Sequence, residues 1–159
     1  MLNVFVSYST QDLENVEILQ KSLSGTGVNV FVSEHSVKPS DHLSEKISDA
    51  INNCDLFVLL WSQNAKASEW VSQEIGKAHS LDKRILPLIL TKGLNLPGFI
   101  SGLKYIPVHE NLEGAMNKAK KIILDQLQIK QDALEKKKQN DTLVLIGIGA
   151  FLLWAFSQK

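Results

Sequence analysis

The sequence predicts an α/β domain: a parallel five-stranded sheet with helices on both faces. Two observations carry this. Short apolar runs rich in β-formers alternate with longer segments whose apolar residues fall at helical spacing, as crossover-linked parallel strands require. One run, LFVLLW at 56–61, is apolar throughout, which fits a strand covered on both sides.

The elements follow in order. LNVFVS at 2–7 is the first strand. Leu13, Val16, Ile18, Leu19 and Leu23 give the segment 12–23 a helical stripe, which Gly25 and Gly27 end. A second strand is expected at 28–33. A second helix follows over 41–54, with Leu43, Ile47, Ala50 and Ile51 on one face. After the strand at 56–61 come a helix over 69–81 and a strand over 84–90 (RILPLIL). A loop carrying Gly93, Pro97 and Gly98 leads to a short strand at 104–108, and an amphipathic helix over 112–128 closes the domain.

Of the 159 residues, 44% are hydrophobic, enough for a packed core and too many for a disordered scaffold. Seventeen basic residues balance seventeen acidic ones, so the basic excess of a nucleic-acid binder is missing. The single cysteine, Cys54, excludes an internal disulfide framework and a Cys-rich zinc site, and fits a small buried residue. The opening residues 1–5 lack the basic region of a signal peptide.

The chain divides into a folded domain at 1–128, a charged connector at 129–141 that is either helical or loose, and an apolar tail at 142–158. As a helix the tail is about 25 Å long at about 1.5 Å per residue, near the lower limit for a hydrocarbon core of about 30 Å. It is apolar on all faces, follows Lys130 and Lys136–Lys138, and carries Trp154 and Phe156 near its end. This favours a single-pass transmembrane helix over a core helix. The lysine asymmetry puts the folded domain in the cytoplasm.

In an open parallel sheet, ligands bind beyond the carboxyl ends of the strands. Ser7, Ser9, Ser33, Glu34, His35, Ser36, Ser62, Asn64 and Ser68 gather at those ends. There is no GxGxxG, no Walker loop and no GxSxG, and His35, His42, His79 and His109 have no metal-ligand spacing, so no metal is expected. Ser68-Glu69-Trp70-Val71-Ser72-Gln73-Glu74 places Trp70 and Glu74 on one helix face, at i and i+4. Val71 and Ile75 define the neighbouring apolar face, so Glu74 should lie near the edge of the packed surface. Spacing alone also fits a solvated glutamate beside a core tryptophan.

These motifs resemble the TIR (Toll/interleukin-1 receptor) domains over most of 1–128. Val4-Phe5-Val6-Ser7-Tyr8-Ser9 with Asp12 is similar to the family's first motif. Phe31-Val32-Ser33 and the loop Glu34-His35-Ser36-Val37-Lys38-Pro39-Ser40 look like its second strand and BB loop, with Ser after Pro where many members have Gly. The stretch 56–62 with Asn64, then Ser68, Trp70 and Glu74, is similar to the third strand and the Ser-x-Trp-x-x-x-Glu helix of enzymatically active members. The resemblance implies a flavodoxin-like fold and a microbial NAD-cleaving type, with Glu74 as catalytic carboxylate. It makes Trp70 a wall for the nicotinamide end; Ser7, Tyr8, Ser9 and Ser33 would line the pocket, with Ser68 close to the glutamate.

NAD is then a substrate, and no cofactor is implied. Nicotinamide leaves as a neutral molecule, so one carboxylate suffices where glycoside hydrolysis normally uses two. Capture of the ribosyl cation by water gives ADP-ribose, and internal capture gives a cyclic isomer; the sequence leaves both open. Family behaviour implies self-association through the BB loop at 34–40, in defence or stress signalling. The alternative is a non-catalytic, membrane-anchored adaptor acting through contacts between TIR domains, which has no need of the Trp70–Glu74 pair.

Overall fold

The computed structural model of the chain describes residues 1–33 and 41–157, with side chains at 1–33 and 44–139. The strands β1 (Leu2–Ser7), β2 (Val28–Val32), β3 (Leu56–Trp61), β4 (Ile85–Ile89) and β5 (Ile106–Pro107) form one parallel sheet in the order β2-β1-β3-β4-β5. Between and after them run α1 (Leu13–Leu23), α2 (Asp41–Asn53), α3 (Gln63–Ala67), α4 (Glu69–Ser80) and α5 (Leu112–Ser157). The strand order turns back between β1 and β3, which opens a crevice at their carboxyl ends.

Strand alternation sorts the apolar side chains into two cores. Leu2, Val4, Val6 and Tyr8 face α1 and α5, where they meet Val16, Leu19, Leu23, Ala119, Ile123 and Leu127. Phe5 faces the other way, with Ile47 and Ile51 of α2 and Val71, Ile75 and Ala78 of α4. On that second face three rings cross the sheet in register. Phe5 stacks on Phe31 at 5.4 Å and on Phe57 at 5.3 Å, a floor two residues below Ser7. Gly27 takes a φ of +82° in the turn into β2, with Leu127 of α5 packed alongside, so a side chain here would be strained.

Each expected strand and helix is present, most within a residue or two of its predicted end. There are three differences. The loop after β3 contains α3, five residues long and therefore too short for a periodic signal. The last strand is reduced to Ile106 and Pro107. Finally, α5 does not end with the domain near residue 128: it runs on as one 46-residue helix to Ser157, which makes the connector at 129–141 the helical of its two expected forms. Lacking a helix-breaking Gly or Pro, residues 129–141 continue the hydrogen-bond ladder, although the side chains at 131–139 are exposed. Among the described residues no helix is long and apolar enough to cross a membrane. The anchor expected at 142–158 therefore gains no support here; the side chains of that tail lie outside the described residues, as does the BB loop at 34–40.

Before it leaves the domain, α5 is tied down at the amino end of the sheet. Asp55, just ahead of β3, accepts hydrogen bonds from the Asn3 backbone N–H at 2.8 Å and the Lys130 ammonium at 2.6 Å. Arg84, just ahead of β4, donates to Gln126 of the same helix. Burial pushes the Asp55 carboxyl up, but the bonds from Lys130 and Asn3 and the charges of Lys130 and Lys83 outweigh it and hold it below its ordinary value. A carboxyl lowered in the folded state stabilises the fold above its unfolded value, near about 3.9, and that contribution disappears as pH falls through the folded value. Asp55→Asn is therefore expected to cost about 1 kcal/mol at neutral pH, with the gap from wild type closing in strong acid. Denaturant melts across pH check this; a gap that stays constant down to pH 2 contradicts it.

Candidate functional site

The site forms where β1 and β3 end and α4 begins. Ser68 caps α4, its Oγ accepting from the Val71 N–H at 3.3 Å, and this sets the helix phase. Val71, Ile75 and Ala78 are then fully buried against the sheet, and Glu74 is carried onto the same face. Glu74 is only 3% exposed, deeper than the edge position read from the sequence, because that edge faces α2 rather than water.

Burying a carboxylate is costly unless donors meet it. Ser7, the last residue of β1 and fully buried, supplies one: its hydroxyl donates to Glu74 Oε2 at 2.5 Å. A charge-assisted bond this short fixes the carboxylate relative to the sheet. Glu74 and Trp70 also share the wall of a cavity of about 110 Å³ between α4 and α2, completed by Ser44, Ile47, Ser48, Ile51, Gln73 and Lys77. Trp70 is half-buried there.

The other residues singled out in the sequence divide clearly. Ser33 is fully buried beside Ser7, because the Val6–Val32 pair puts the two serines at matching positions on adjacent strands. Tyr8 is buried among the α1 and α5 side chains, the face opposite Glu74, so the structure does not bring its ring to the carboxylate. Ser9 is buried and turns the chain, its carbonyl accepting from the Asp12 N–H at 2.7 Å. Ser68 spends its side-chain oxygen on the helix cap. Trp61 is core, as its strand position implies, with its indole N–H on the Asn95 carbonyl at 3.0 Å. Cys54 is buried, its thiol bonded to the Ile51 carbonyl at 3.3 Å, and burial pushes that thiol up, so it is a poor nucleophile. His35 lies outside the described residues.

A second buried carboxylate braces the crevice. Asp12 accepts from the Ser62 hydroxyl at 2.5 Å and from the Asn64 amide at 3.5 Å. Ser62 in turn caps α3, accepting from the Ala65 N–H at 3.0 Å. The loop after β1 is thus fastened to the loop after β3 across the switch point. The sequence shows Asp12 and a Ser62 followed by a short polar run, but only the fold reveals that they meet.

A doubly wound parallel sheet with a buried, hydroxyl-held carboxylate at its switch point defines an α/β domain with a ligand crevice at that end. The chain belongs to the TIR family: a family model described as TIR domain matches residues 4–123. Relatives include the "probable 2′ cyclic ADP-D-ribose synthase BdTIR" of Brachypodium distachyon. It is 27% identical over 124 residues, which are 74% of this chain and 55% of that protein. The "2′ cyclic ADP-D-ribose synthase AbTIR" of Acinetobacter baumannii is 28% identical over 91 residues, 54% of this chain and 34% of that protein. The chain thus spans about half or less of the length of these curated relatives. Among solved structures, the TIR domain of the Toll-related receptor TRR-2 from Hydra magnipapillata aligns with a TM-score of 0.56 at 22% identity, covering 74% of this chain and 99% of that one. A prokaryotic SEFIR domain aligns with a TM-score of 0.56 at 17% identity, covering 77% and 99%. Both share the fold.

The Asp12–Ser62 pair yields a test. Asp12→Ala leaves a buried hydroxyl without its acceptor and should cost about 1–3 kcal/mol in denaturant melts. Ser62→Ala should be destabilising too, and the double variant less so than the sum, since each single change already breaks the shared bond. Strict additivity contradicts the coupling.

Proposed function

We propose that this chain cleaves NAD at the nicotinamide–ribose bond, with Glu74 as the carboxylate that faces the developing positive charge. The observation that carries the reading is the buried Glu74 carboxylate, fixed by Ser7 and walled by Trp70. The family membership and two relatives named as 2′ cyclic ADP-D-ribose synthases support it.

In the proposed step the bond from the ribose anomeric carbon to the nicotinamide nitrogen breaks, and its electron pair leaves with nicotinamide, which departs neutral. No general acid is needed, unlike the expulsion of an alkoxide. The ribosyl cation left behind is met by a carboxylate already desolvated and oriented, so little reorganisation accompanies the charge. Trp70 keeps water from that side. Attack by one of the substrate's own hydroxyls, with loss of its proton, gives a cyclic ADP-ribose isomer, the outcome the relatives' names favour; attack by water gives ADP-ribose. Ser7 acts as a positioning residue, and Ser33 completes the wall beside it.

Self-association through the BB loop at 34–40, and attachment of the domain to the cytoplasmic face of a membrane through 142–158, belong to the same proposal. They rest on the family resemblance and on the apolar tail. Confinement to a surface would raise the effective concentration of domains that act together. The experiment is incubation of the full chain, reconstituted with vesicles, with NAD, followed by chromatography of the products. Nicotinamide release and co-flotation with the vesicles are expected, with Ser7→Ala slower by about five- to tenfold, the rate equivalent of one hydrogen bond. Folded, vesicle-bound protein that releases no nicotinamide overturns the enzyme reading in favour of an adaptor; protein that releases nicotinamide but stays off the vesicles removes only the anchor.

A further inference from the structure

The cavity beside Glu74 extends along α4 beyond the carboxylate. Trp70, Glu74 and Lys77 stand at i, i+4 and i+7, one behind another on the face that lines it. Lys77 donates from its ammonium to Ser48 Oγ across the cavity on α2. An ammonium has three donors, so two remain. It is half-buried, and the ion pairs found among the described residues, Lys121 with Asp125 and Lys130 with Asp55, do not include it. A half-desolvated cation at the wall of a mostly apolar cleft favours an anionic partner there. Ser44 and Ser48, one turn apart on α2, add hydroxyls opposite it.

We infer that Lys77 anchors a phosphate of the nucleotide substrate, an assignment that rests on the NAD-cleaving reading above. Along such a substrate, the planar base, the ribose and the phosphate succeed one another. Along α4, an indole, a carboxylate and an ammonium do the same, with about 4.5 Å of helix rise between Glu74 and Lys77. A cavity of about 110 Å³ falls short of the roughly 300 Å³ at which pockets for drug-sized ligands begin, so it takes one section of a dinucleotide and leaves the adenosine half outside.

The same lysine could merely tie α2 to α4 through Ser48, and the test separates the two roles. Nicotinamide mononucleotide and nicotinamide riboside differ only by the phosphate. Titrated calorimetrically into the full chain, the mononucleotide should bind wild type about tenfold more tightly. Lys77→Gln should erase that difference, and Lys77→Arg should keep most of it. A structural tie, once broken, would weaken both ligands alike and leave their ratio untouched. An unchanged ratio in Lys77→Gln, or equal affinities in wild type, overturns the inference while leaving the cleavage reading standing. Folded wild type that binds neither ligand and releases no nicotinamide removes both.

Discussion

The hydrogen bond between Ser7 and Glu74 ties the sequence-distant halves of this domain together, and much of the architecture can be understood as the arrangement that makes it affordable. A carboxylate that is 3% exposed demands a donor, a low-strain approach and walls that do not shift. The donor is at the end of β1 because strand alternation sends Phe5 and Ser7 to one face and Tyr8 to the other. The approach is set by the Ser68 cap, which phases α4 so that Val71, Ile75 and Ala78 are buried and Glu74 comes with them. The walls are held by the Phe5–Phe31–Phe57 stack beneath and by the Asp12–Ser62 bond across the switch point.

The two ends of the sheet have different tasks. The carboxyl ends of β1 and β3 hold the polar residues and the candidate site. The amino ends hold the exit of α5, secured by Asp55 to Lys130 and by Arg84 to Gln126. The long helix therefore leaves from the end of the sheet opposite Glu74. That separation lets the helix run on past the domain without crowding the site.

Most of the fold was legible in the sequence because strands and helices here announce themselves by period. LFVLLW could hardly be anything but a buried strand, and Gly25 and Gly27 both take the positive φ that ends a helix and starts a turn. What escaped was short, or depended on tertiary partners. Five residues are too few for α3 to show a helical period, and the connector at 129–141 has no apolar stripe to decide between its helical and loose forms. Spacing puts Glu74 at the edge of a packed face; only the position of α2 shows that this edge is interior. Tyr8 adjoins Ser7 in sequence yet faces the other core, a reminder that neighbours on a strand are opposites in space. Lys77 and Asp55 gave no sequence signal, since a lysine or aspartate near a helix end is ordinary until its partner is seen.

The most direct test of the account removes the charge of Glu74 and little else. Glu74→Gln keeps the size of the side chain and an oxygen that can accept from Ser7, so the fold should survive, with a melting temperature at or near that of wild type. Nicotinamide release from NAD by the clustered full chain is expected to fall by about a hundredfold or more, because the developing cation then meets a neutral amide. A folded Glu74→Gln protein that cleaves NAD at the wild-type rate would contradict the central claim and leave the buried carboxylate a purely structural role.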